Sequence, residues 1–145
     1  MVKGTVYPES MEEVMKDLRI HPGELTEAHI LPFIPRADLI DQEKDKRYVG
    51  MMKILADTAT IQSASTYLID NTEWDFMGVY FDGIDHFGHG FMKYHPPRMP
   101  MIPEKDFEIY NNVVNAGYVF HDMMLEATLD IVDEDTTVIL VSDHG

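Results

Sequence analysis

Two compact apolar runs constrain this chain most: WDFMGVYF at residues 74–81 and TTVILV at residues 136–141. Each has strand length, and neither alternates polar with apolar residues, which is the pattern of strands covered on both faces of a sheet. Between them, residues 104–131 carry Phe107, Tyr110, Val114, Tyr118, Leu125 and Leu129 at helical spacing. Strand, long helix, strand predicts a parallel βαβ unit with a right-handed crossover. Upstream, Tyr48, Met51, Met52, Leu55 and Ala59 fall on one stripe that Ile54, Ile61, Ala64 and Leu68 widen, so a second long helix is expected over 47–69. The fold class read this way is α/β, a partial parallel sheet carrying long helices.

The remaining segments are shorter. Ser10 through Glu13 reads as a capping box that opens a helix over 10–18. Residues 24–29 suit one further helical turn, and Pro32 and Pro35 suit an extended connection. The run Asp38 to Lys46 reads as a solvated face, and residues 82–90 and 91–103 as loops. Met51, Met52, Met123 and Met124 read as helix core. His21, His29 and His121 read as structural.

Composition narrows the function classes. The chain has 145 residues, with 26 acidic residues against 11 basic and a formal net charge of −15. That surface repels nucleic-acid polymers and anionic membrane surfaces. No apolar run approaches the roughly 20 residues of a membrane helix, and no signal peptide is visible at the start. The compartment is left open. Absence of cysteine excludes thiolate zinc sites and cysteine nucleophiles, so any metal must be held by Asp, Glu or His. Two or three strands make a thin sheet for so much helix, and the chain stops at the tip of a strand. Residues 1–145 therefore read as a single unit or fragment, the central portion of a larger catalytic domain. Its exposed sheet edges predict self-association.

Ligands in open α/β folds bind at the carboxyl ends of parallel strands, and two chemically suited clusters fall there. Asp82-Gly83-Ile84-Asp85-His86-Phe87-Gly88-His89-Gly90 follows the first run, and Asp143-His144-Gly145 follows the second. One turn separates Asp85 from His89, so both can face one ion, and Gly88 and Gly90 would permit tight turns. Asp143 and His144 are neighbours and can share an ion only where the chain is turning. Oxygen and nitrogen donors of this kind suit zinc or manganese. Asp82 and His86 are candidates for supporting or substrate contacts. His95 and Arg98 in the proline-rich stretch could line a pocket, with Arg98 suited to a phosphate oxygen.

YFDGIDHFGHGF at residues 80–91 and VILVSDHG at residues 138–145 together resemble the alkaline phosphatase superfamily, in its type I phosphodiesterase and nucleotide pyrophosphatase branch. The resemblance covers the whole chain. It implies a three-layer α/β fold and a phosphate-ester hydrolase using two divalent ions, zinc or manganese. By the same resemblance Asp85 and His89 bind one ion, and Asp143 and His144 the other. The family's Thr or Ser nucleophile, its early Asp and its last His have no counterparts here, so the isolated chain is expected to be inactive. Its parent protein would act on a phosphate-ester small molecule. Two other readings stand beside it: a sulfatase- or phosphomutase-type member of the superfamily, and a non-catalytic acidic α/β interaction module.

Overall fold

The computed structural model describes residues 4–41 and 43–142. Every regular element among them is helical: α1 Glu12–Asp17, α2 Glu27–Ile30, α3 Lys46–Asn71, α4 Gly83–Phe91, α5 Glu104–Tyr110 and α6 Val113–Leu129. Single 3-10 turns occupy Glu9–Met11, Pro22–Glu24, Ala37–Leu39 and Met92–Tyr94. The expected α/β sheet is therefore absent from the described residues. Residues 74–81 and 136–142 carry no strand, and Phe76, Tyr80, Ile139, Leu140 and Val141 are each at least 77% exposed. The physical reason is that β-propensity reflects packing against neighbouring strands, and neither run has one among the described residues. The sheet edges expected to drive self-association are absent from the described residues for the same reason.

Other expectations are corrected in detail. The stretch 82–90, read as a loop, is mostly helix α4, and Gly88 and Gly90 lie inside it without positive φ. The long helix over 104–131 is two helices, broken at Asn111-Asn112. There the Asn112 side chain donates to the Pro32 carbonyl at 2.8 Å instead of facing along the helix. Tyr118, Met123 and Leu129, read as inward-facing, are exposed. Ser10 makes no capping bond: it sits within a 3-10 turn, and neither that turn nor α1 has a side-chain cap. The helix expected over 47–69 is observed with its ends slightly extended. Asp45 caps it by accepting from the Arg47 amide at 3.0 Å.

The core joins α3, α4 and α6 with the segment around Phe33. Gly83, Phe87 and Phe91 recur every fourth residue and form the buried stripe of α4. Phe87 stacks on Phe33 with centroids 5.6 Å apart. Its other side lies on Gly117 of α6, where an added Cβ would stand 2.7 Å from Phe87 Cδ2. Glycine at 117 thus sets how closely α4 and α6 approach.

A charged cluster ties the start of α3 to α5. The Arg47 guanidinium donates to both Asp45 carboxylate oxygens, at 2.9 and 2.6 Å, to Tyr94 Oη at 3.0 Å and to Asp106 at 3.1 Å. It also lies 4.6 Å from the Tyr110 ring centroid, while Tyr110 Oη donates to Asp45 at 2.9 Å. The hydrogen bonds from Arg47 outweigh burial and lower the Asp45 carboxyl to about 2. Burial, then the bond to Asp45, raises the Tyr110 phenol above its usual range.

Three outcomes follow from this packing. Gly117→Ala should overpack the α4–α6 contact and lower stability by about 1–3 kcal/mol in urea unfolding. Arg47→Met leaves Asp45 and Asp106 facing each other half-buried. It should cost roughly 2 kcal/mol, less than for a fully buried pair because a third of the Arg47 side chain meets solvent. Because the folded Asp45 carboxyl is depressed, its contribution is present above about pH 4 and is lost as pH falls toward 2. The urea midpoint should drop across that window more in the native chain than in Asp45→Asn.

Candidate functional site

Helix α4 carries the residues of interest on the face opposite Phe87. It is amphipathic, with Gly83, Phe87 and Phe91 inside and Asp85, His86 and His89 outside. The inside stripe decides which residues are presented. Asp85 and His89 stand one turn apart, with His89 Nε2 3.3 Å from Asp85 Oδ1. Asp82 and His86 form a second pair of the same spacing, Nε2 to Oδ2 3.1 Å. The two pairs are offset by three residues on neighbouring ridges of one helix. Asp85 sits in the first turn and His89 in the last, which complements the helix dipole.

Exposure suits ligand capture at the outer pair. The His89 side chain is 81% exposed and that of Asp85 42%. One carboxylate and one imidazole within contact of each other can grip a divalent cation together, so the donors fit as half of a metal site. Among the described residues, however, no group of three or more His, Asp or Glu converges on a point. Asp143 and His144, the other expected pair, lie outside the described residues.

The remaining sequence candidates are placed elsewhere. His95 donates from Nδ1 to the Pro96 carbonyl at 2.8 Å, and its Nε2 is 3.2 Å from Asn115 Oδ1. Arg98 donates to the Ile102 carbonyl at 2.8 Å, closing the proline-rich loop on itself. Neither is brought into contact with the α4 pairs by any of these bonds. No helix among the described residues is long and apolar enough to cross a membrane.

Thr58 and Gly117, which support α4, were missed from sequence, whereas His121 was read as structural. Thr58 of α3 and His121 of α6 meet at Gly83, and Gly117 underlies Phe87. Burial drives the His121 imidazole toward its neutral form, partly offset by its bond to the Gly117 carbonyl. The signal that was available is the every-fourth-residue recurrence of Gly83, Phe87 and Phe91, which marks a helix seated on its glycine.

With this geometry in place, the comparisons with known proteins are specific. The chain is 29% identical over 89 residues to GPI ethanolamine phosphate transferase 2 of Yarrowia lipolytica, matching 61% of this chain and 8% of that protein. It is 31% identical over 93 residues to GPI ethanolamine phosphate transferase 3 of Eremothecium gossypii, again 61% of this chain and 8% of that protein. The chain thus matches a small part of the length of these relatives. No solved structure matches it significantly. Residues 5–145 match the family described as type I phosphodiesterase / nucleotide pyrophosphatase, and the chain belongs to that family.

Proposed function

We propose that this chain forms the metal-gripping portion of a larger enzyme that breaks phosphate esters of small molecules. The observation that carries the reading is the exposed Asp85/His89 pair, set one helical turn apart on α4 of a type I phosphodiesterase family member. Asp85 and His89 would hold one divalent ion, and Asp143 and His144 a second. Ions bound there, zinc or manganese, would supply charge neutralisation for a phosphoryl group and polarisation of an attacking oxygen.

The chain's own residues supply direction. α4 fixes a carboxylate and an imidazole at one point on the surface, so neither has to be recruited from a flexible loop. His86, whose Nε2 donates to Asp82, stands on the adjacent ridge where its Nδ1 lone pair can accept from a substrate hydroxyl. The Thr or Ser nucleophile belongs outside these residues, so the chain by itself turns over no ester. The transferase names of the two relatives favour transfer of a phosphate-bearing group to an acceptor over its hydrolysis. Self-association, if it accompanies this role, would run through the exposed apolar runs around Tyr80 and Leu140.

Equilibrium dialysis against zinc and manganese tests the reading, with the native chain compared to a His89→Ala, His144→Ala double variant. Uptake should fall by roughly tenfold or more in the variant. Equal uptake by both would defeat the metal reading and favour a non-catalytic acidic module.

A further inference from the structure

Where α4 begins, three helices meet on polar atoms that lack partners. Gly83, its first residue, is buried. A methyl group there would collide with Thr58 Oγ1 of α3 and stand 2.9 Å from Cε1 and Nε2 of His121 of α6. Thr58 is 0% exposed. Its hydroxyl and His121 Nε2 are both sealed from solvent without a hydrogen-bond partner among the described residues. Such buried groups are rare in folded proteins and call for a physical account.

The tautomer of His121 supplies one. Its Nδ1 lies 2.8 Å from the Gly117 carbonyl, which only accepts, so Nδ1 carries the proton. Nε2 then presents a lone pair beside Gly83. Thr58 brings a hydroxyl to the same point, the complementary donor. The other walls of the histidine are Phe81, Phe87 and Phe120, none of which can hydrogen-bond to that lone pair in the ring plane. A donor and an acceptor shut into one apolar corner without a bond between them can be satisfied together by one shared water.

We propose that Thr58 and His121 form a donor–acceptor pair, bridged by a single water, that clamps the first residue of α4 and makes both of them positioning residues for Asp85 and His89. The proposal rests on the metal reading above for its functional part. The geometry gives the pair its place among the anchors of α4. Phe87 on Gly117 and Phe91 against Tyr110 seat the middle and the end of the helix. The contact at Gly83 seats its beginning, the end from which Asp85 projects two residues on.

Nitrogen-15 NMR of the full chain reads the tautomer, and a double-mutant cycle of Thr58→Val and His121→Phe reads the pairing. His121 should show the Nδ1–H form. The cycle should show non-additivity of roughly fivefold or more in the unfolding constant. Each single variant should also weaken zinc binding by about tenfold, while Leu68→Ala, a destabilising change at the far end of α3, leaves zinc affinity unchanged. An Nε2–H tautomer or an additive cycle overturns the pair, whatever the metal does. Zinc affinity unchanged in both single variants, with the coupling intact, overturns the positioning role. A native chain that takes up no zinc overturns the metal reading and the positioning role together, and the pair is then decided by the tautomer and the cycle.

Discussion

The close approach of α4 to α6 is the constraint on which the rest depends. Phe87 lies on the bare backbone of Gly117, stacks on Phe33 and is almost wholly buried. Full burial of such a ring contributes roughly 1.5–3 kcal/mol, but its orienting effect matters more. Once Phe87 points inward, helical periodicity leaves Asp85, His86 and His89 no direction but outward. The polar face that the family membership makes interesting is thus determined by the apolar face it never touches.

A second anchor operates on different physics. The Arg47 cluster holds the start of α3 and the length of α5 through hydrogen bonds and ring contacts, with little apolar area. A guanidinium that satisfies two carboxylates and two phenolic neighbours resolves a local excess of negative charge in a strongly acidic chain. It also fixes Asp45 as the cap of α3, so one residue serves both as ion partner and as helix terminus. Packing positions α4, and charge adds a second tie between α3 and α5 beside the core they share.

How much of this was legible in the sequence differs by element. α3 was readable because its apolar stripe is long and its periodicity unambiguous. The runs at 74–81 and 136–141 misled, since Val, Ile and Phe signal a strand only where a neighbour completes the ladder. α4 was hidden because Gly88 and Gly90 are poor helix formers and histidines crowd the segment. The spacing of Asp85 and His89 was nonetheless visible, and it proved to be helical spacing. Thr58 was beyond reach, and His121 was legible as structural but not as a neighbour of α4: nothing in their local sequence announces that two helices distant along the chain meet at Gly83. The break at Asn111-Asn112 was present as an asparagine pair but was overridden by the regular apolar spacing on either side.

That break has a mechanical consequence. An uninterrupted helix would act as a lever, so a displacement at its charged beginning would swing its far end against α4. Two helices joined at Asn111-Asn112 are instead held at separate points. α5 follows the Arg47 cluster, while α6 is tethered separately through Asn112 to Pro32 and through Gly117 to Phe87. The helix that bears Asp85 and His89 rests on both pieces, through Phe87 on Gly117 and through Phe91 against Tyr110 of the ionic cluster.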